Sequence, residues 1–159
     1  MLMDAHNQVL HYFEYPLTSF RANKEKFEIK IGKSFFSLKK IILDIDDGET
    51  VIRAQMEFKN IVSWPVKRFS PGVMGIFAFI PFLECYHGVL SFDHSINGYV
   101  EINNEKKDFT GGKGYIEKDW GSSMPSSWIW MQTNHFDEED ISLFGSIAKI
   151  PWLGSYFTG

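Results

Sequence analysis

The stretch GYIEKDWGSSMPSSWIWMQTN, residues 114–134, reads as two strands across a turn. Side chains alternate between the two faces of a strand. Tyr115, Glu117 and Asp119 therefore share one face, and Ile116, Lys118 and Trp120 share the other. On the next strand Trp128, Trp130, Gln132 and Asn134 stand opposite to Ile129, Met131 and Thr133. One row is Tyr-Glu-Asp and the other is Trp-Trp-Gln-Asn. Two arrangements satisfy this pattern. The acids can point to solvent while the indoles fill the core, because charged groups are seldom buried unless paired. Alternatively both rows face one cavity, which then has indole walls, amide groups and acids.

Outward from this stretch the chain keeps the same grammar: short alternating runs split by turn signals, as an all-β sandwich or barrel gives. KFEIKIG (26–32) places Phe27, Ile29 and Ile31 on one face. IILDI (41–45) and TVIRAQMEFK (50–59) flank Asp47-Gly48, which suits a tight turn with positive φ at both centre positions. YHGVLSFDHS and YVEIN flank Ile96-Asn97-Gly98, and Asn-Gly predicts a hairpin there. INNEKKDF predicts a further turn between strands, and ISLFGSIAKI and WLGSYFTG supply the last two strands. Between Ser70 and Glu84, Pro71, Gly72, Gly75 and Pro81 interrupt any regular element. This predicts a long apolar loop with one short helical turn, placed to cap a barrel mouth. The chain starts and stops in strand-like patterns, which suggests a piece of a longer protein.

The 159 residues suit one domain with a sizeable core. Aromatic residues make up 16% of the chain, which favours strands and large burial areas. The net charge is −4 with no basic stripe or tail, which argues against nucleic acid as a partner. The basic residues are mostly Lys, as in low-GC bacterial genomes. One cysteine, Cys85, excludes an internal disulfide and suits a reducing cytoplasm. The first residues show no basic segment followed by a long apolar run. The longest apolar stretch, GVMGIFAFIPFLECY, contains Pro81 and falls short of the ~20 residues a spanning helix needs. The expectation is a soluble, cytoplasmic protein.

Other chemistry finds little support. DIDDGE (44–49) has its glycine fifth, whereas a calcium loop needs acids at positions 1, 3 and 5 and glycine at 6, so a hairpin turn is the better reading. His87 and His94 lie an odd distance apart with no third ligand at a recognised spacing, so no metal site is expected. Cys85 lacks a nucleophile signature, and TGGKG (110–114) lacks the length of a phosphate loop.

The run GKGYIEKDWGSSMPSSWIWMQTN, preceded by FIPFLECYHGVLSFDHSINGYVEIN, closely resembles the tocopherol cyclase family. The shared pattern is Gly114, Tyr115, Glu117, Asp119, Trp120, Gly121, then Pro125, then Trp128, Trp130, Gln132 and Asn134. Upstream, Glu84, Cys85, His87, Gly88 and His94 also fit, and YFEYPLTSF and IGKSFFS look like the earlier part of bacterial members. Two departures stand out: Met124 occupies a position where Phe is common, and family members are about twice this length, so the chain resembles their middle portion.

The resemblance implies a lipocalin-like antiparallel β-barrel over residues 1–159, incomplete by itself and part of a longer two-barrel protein. It implies closure of a chromanol ring on a prenylated quinol. Such closure needs a proton donor in a dry place, and desolvation can raise a carboxyl pKa by up to ~3–5 units. Asp119 or Glu117 is then the donor, with Tyr115 and His87 tuning or relaying the proton. Trp120, Trp128 and Trp130 line the pocket or steady a cation, and Gln132 and Asn134 orient a quinol hydroxyl. Trp120 lies on the opposite strand face, so its entry requires a bend at Gly121. The reaction is redox-neutral and calls for no metal or cofactor. The expected partner is a prenyl quinol or related lipid, taken up at a membrane surface. A rival reading is a non-catalytic carrier of the same ligand class. A third is an incomplete barrel that forms a homodimer through open strand edges.

Overall fold

The computed structural model describes residues 1–138 and 141–150, and the backbone of 155–158. Its described residues form antiparallel strands, two short 3-10 turns (Leu17–Ser19 and Gly75–Phe79) and no α-helix. The strands are β1 (Leu2–Asp4), β2 (Val9–His11), β3 (Phe20–Ala22), β4 (Glu28–Ile31), β5 (Ser34–Ser37), β6 (Lys40–Asp46), β7 (Val51–Val62), β8 (Cys85–Ile102), β9 (Glu105–Asp108), β10 (Lys113–Gly121), β11 (Trp128–Thr133), β12 (Leu143–Ile150) and β13 (Ser155–Thr158). The all-β expectation holds, and the ladders among the described residues form open sheets. Of the expected last strand, 155–158 pair with β12, whereas 152–154 and 159 lie outside the described residues.

Backbone contacts group the chain into two compact units, Met1–Glu57 with Asn97–Thr110, and Phe58–Ile96 with Gly111–Gly159. The long strands β7 and β8 contribute to both.

In the first unit β3 to β7 pair in sequence order, and β1 and β2 form a separate hairpin. Alternation explains its core. Ile41, Leu43 and Ile45 on β6 lie directly opposite Met56, Ala54 and Ile52 on β7. Ile52, Ala54 and Val100 are buried there, with Leu2, Phe13 and Ile102 packed against them. Each fully buried aliphatic side chain of this kind stabilises by about 1.5–3 kcal/mol. The other face of the same ladder is polar: Asp44 pairs with Arg53, directly opposite, at 2.8 Å.

Two turn assignments change in the structure. The β6–β7 connection has four residues, not two, because Asp46 pairs with Val51. Only Gly48 takes a positive φ there, of 90°. The Asp47 carboxyl caps the turn by accepting from the Thr50 and Glu49 amides at 2.7 and 3.0 Å. These bonds hold its pKa below the ordinary aspartate value.

The second change is larger. Asn97-Gly98 makes no hairpin, and β8 runs straight through it. The glycine answers to packing instead: a Cβ on Gly98 would lie 2.0 Å from the Gln55 carbonyl oxygen, and its φ is 143°. The hairpin forms just beyond, where Ile102 pairs with Glu105 across Asn103 (φ 49°) and Asn104 (φ 69°). Two consecutive positive φ values give the turn whose twist matches antiparallel strands.

In the second unit β10 pairs with β8, while β11, β12 and β13 form their own sheet. Phe58, Val73, Leu83 and Val89 are buried there, together with the polar Ser91, His94 and Asn134. The Ser91 hydroxyl donates to the Asp93 carbonyl and lies 2.9 Å from His94 Nδ1. The His94 ring packs on Phe58 and fills the space a side chain at Gly114 would need. The interrupted segment before β8 contains the expected single helical turn, at Gly75–Phe79.

Gly98→Ala tests the packing argument against a control. It should destabilise the protein by more than ~1–3 kcal/mol, since strain adds to a backbone clash. Gly48→Ala, also at positive φ but with open space around it, should cost about 1 kcal/mol. Chemical denaturation of both variants measures the difference, and equal losses would contradict it.

Candidate functional site

The register between β8 and β10 decides what faces what. Cys85 lies opposite Gly121, His87 opposite Asp119, and Val89 opposite Glu117. Directly opposed residues share a face. Tyr86 and Gly88 are opposed to Trp120 and Lys118 on the other face. Above Val89 the ladder slips twice, with an extra β8 residue between Val89 and Ser91 and another between Ser91 and His94. Such bulges bend a strand and re-aim its side chains.

Trp120 therefore stays out of the site. Its indole stacks on Tyr86 at 5.7 Å, under the Lys118 ammonium at 4.7 Å. Gly121 does take an unusual backbone, φ 153°, but for another reason: a Cβ there would lie 2.1 Å from the Glu84 carbonyl. That carbonyl accepts from the amides of Ser122 and Ser123. The chain turns just after Trp120, too late to bring the ring round.

On the face of His87 and Asp119 lies a pocket of about 330 Å³. This is near the lower end of the ~300–1,000 Å³ typical of small-molecule sites. Glu117, Asp119, His87, Trp128 and Trp130 all line it. The sheet of β11 and β12 makes one wall by pairing large with small: Trp128 is opposite Ala148 and Trp130 opposite Ser146. Met74, Phe77 and Leu83, from the interrupted segment, supply further apolar lining, with Met124, Pro125 and Ile150, while Glu84 and Lys149 add charged groups at the wall beside Cys85.

The two acids differ in their surroundings. Glu117 Oε2 accepts the Tyr115 hydroxyl at 2.5 Å and the Trp130 indole N–H at 3.1 Å. Burial, then the Glu117 hydrogen bond and charge, push the Tyr115 hydroxyl well above the ordinary tyrosine pKa. The Asp119 carboxyl makes no hydrogen bond among the described residues. Burial raises its pKa first, the Glu117 charge raises it further, and His87 opposes both. Cys85 is raised by burial and by the Asp119 charge. His87 is fixed by its amide, which donates to Met74 Sδ at 3.2 Å, and by ring contact with Phe144 at 5.4 Å.

Tyr115, Gln132 and Asn134 lie outside the pocket lining. Tyr115 sits behind Glu117, packed among Phe92, Trp130 and Phe144. Asn134 is 4% exposed and acts as a clasp. Its amide donates to Asp93 Oδ1 at 2.9 Å and to the Gly114 carbonyl at 3.1 Å, tying the end of β11 to β8 and β10. Gln132 Nε2 is buried without a hydrogen-bond partner among the described residues. Among the described residues no group of three or more His, Cys, Asp or Glu is placed to hold a metal ion.

The pocket residues all fall within the span of one family model. The model described as tocopherol cyclase-like matches residues 17–151. The chain belongs to the tocopherol cyclase-like family. It is 28% identical over 117 residues to the chloroplastic tocopherol cyclase of Zea mays. It is 30% identical over 117 residues to the probable chloroplastic tocopherol cyclase of Oryza sativa subsp. japonica. Each alignment takes in 66% of this chain and 25% of the relative, so the chain spans about a quarter of the length of these curated relatives. No solved structure matches it.

The family residues thus divide into a pocket set and a supporting set. Sequence alone missed Met74, Phe77 and Leu83, for which no periodic signal exists. It also missed Ser146 and Ala148, although they stand two apart in GSIAKI and so share one strand face.

Carbon-13 NMR titration should place Asp119 above the ordinary aspartate value, and Glu117→Gln should move it down. Asp119 binds its proton more tightly folded than unfolded, so its contribution to stability is full at low pH. That contribution is lost as pH rises from the unfolded value through the raised folded one. Asp119→Asn should remove this pH-dependent loss in denaturation curves. An Asp119 that titrates like a free aspartate would contradict the electrostatic account.

Proposed function

We propose that the pocket binds a prenylated quinol or similar isoprenoid and that Asp119 protonates its double bond to close a ring. The observation that carries this reading is geometric: the Asp119 carboxyl shares a solvent-open, indole-walled pocket with Trp128 and Trp130, and its pKa is raised there. Asp119 gives its proton to the less substituted alkene carbon. The tertiary cation forms beside Trp128 and Trp130, whose π faces can stabilise it by about 0.5–2 kcal/mol. The phenolic oxygen attacks the cation, and its proton returns to the Asp119 carboxylate. No electron pair leaves the system, so the step is redox-neutral.

Glu117 takes the supporting role. Its bonds to Tyr115 and Trp130 fix one pocket indole, and its charge keeps the Asp119 proton in place. His87 lies across the ladder from Asp119, where its charge opposes the raised pKa of that carboxyl. Asn134 acts behind the lining, where its part is to hold the end of β11 in position.

A carrier of the same ligand class is the second reading. It is favoured by the pocket's open side, where Asp119 meets solvent. A homodimer through strand edges remains a proposal that light scattering coupled to size-exclusion chromatography tests directly. No helix among the described residues is long and apolar enough to cross a membrane.

The deciding experiment is turnover of a synthetic prenylated quinol by the wild type and by Asp119→Asn, with binding followed by tryptophan quenching. General acid catalysis contributes ~10²–10⁴-fold. Asp119→Asn should therefore lose at least about a hundredfold in kcat with binding kept within a few-fold. Trp128→Ala should weaken binding. A wild type that binds the quinol and returns it unchanged would support the carrier instead.

A further inference from the structure

The segment before β8 has two apolar faces, and the pocket uses only one. Met74, Phe77 and Leu83 point into the pocket lining. Ile76 and Phe79, three residues apart in the 3-10 turn and so on one side of it, are 70% and 59% exposed. Phe82 is 88% exposed and holds a positive φ of 72°. A bulky side chain in that conformation is a genuine outlier, and burial of the ring does not compensate it. A few residues earlier, Lys67 and Ser70 exchange backbone hydrogen bonds at 3.0 Å each, which makes a tight turn. Its tip presents Arg68 and Phe69, with the guanidinium 5.8 Å from the ring and Phe69 78% exposed.

We propose that this segment, residues 66–82, docks the protein on an anionic lipid bilayer. Phe69, Ile76, Phe79 and Phe82 enter the boundary between headgroups and acyl chains, while Lys67 and Arg68 meet lipid phosphates. Charge complementarity selects this occupant. The chain as a whole carries −4, so an anionic surface attracts it only where cations are local, and the turn sets two of them beside an exposed ring. Apolar side chains flanked by basic ones are the composition that binds in the interfacial plane. The same short segment lines the pocket from its other face, so docking would bring the pocket next to the medium in which an apolar ligand dissolves. The proposal does not rest on the cyclisation reading, because vesicle binding is measured without turnover.

The test is co-sedimentation of the full chain with vesicles of phosphatidylcholine, with and without phosphatidylglycerol, at low and high salt. The wild type should bind the anionic vesicles, less tightly as salt rises. A variant with Phe69, Ile76, Phe79 and Phe82 all changed to Ser should bind at least about tenfold more weakly. Lys67→Glu with Arg68→Glu should also lose most anionic binding and abolish its salt dependence; it keeps the apolar face, so it remains informative if the first variant misfolds. Leu10→Ser with Leu17→Ser removes exposed apolar side chains from the other unit and should change nothing. The proposal is overturned if the wild type ignores both vesicles, or if the control loses as much binding as the segment variant. It is equally overturned if the segment variant turns a dimer into a monomer while the wild type binds no lipid, since the occupant is then a second copy.

Discussion

The site depends on the register between β8 and β10. His87 opposite Asp119 and Val89 opposite Glu117 place both acids and the imidazole on one face. The same pairing sends Trp120 and Lys118 to the other. A one-residue slip would exchange the two sets completely. What holds the register is a set of close approaches that only glycine permits. Gly114 lies against the His94 ring, and Gly121 lies against the Glu84 carbonyl. These two residues sit near the two ends of β10, so each end is pinned by a contact that no side chain can share. Asn134 adds a third pin by bonding to both strands at once.

Within that frame, two carboxyls two residues apart come to have different chemistry. Glu117 accepts from two donors, and one of them, the Trp130 indole, is itself a wall of the pocket. Asp119 has no donor among the described residues and feels the charge of its neighbour. A carboxyl whose pKa is raised by burial and by a neighbouring acid is suited to carry a proton. Tyr115 matters through Glu117: half-buried, its hydroxyl donates to Oε2 and so fixes that carboxyl.

Much of this is legible in the sequence because period-two alternation is a direct consequence of strand geometry. Residue spacing alone sorts Tyr115, Glu117 and Asp119 from Trp120, and Trp128 and Trp130 from Met131. The readings that fail concern glycine. Asn97-Gly98 has the signature of a hairpin, but that signature records only that positive φ is tolerable. At Gly98 the demand comes from the Gln55 carbonyl on a neighbouring strand, a tertiary fact absent from local sequence. The hairpin that does form, at Asn103 and Asn104, falls within INNEKKDF, where the sequence predicts a further turn. The pocket lining from Met74 to Leu83 is hidden for a related reason. A segment without regular structure has no periodicity, so nothing in it separates inward from outward side chains.

The composition of that irregular segment still has a physical cause. A loop that only closed a pocket would present polar residues outward, since water faces that side. Here Ile76, Phe79 and Phe82 face outward while Met74, Phe77 and Leu83 face in. Exposed apolar side chains scattered singly are ordinary, but three within seven residues, one of them on strained backbone, are not scattered. The backbone strain at Phe82 costs stability of order 1–3 kcal/mol, and the ring, 88% exposed, offsets little of it by burial. A conformation that costs stability and gains little packing persists when the surrounding structure enforces it. The ring at Phe82 is therefore better understood as displayed than as left over.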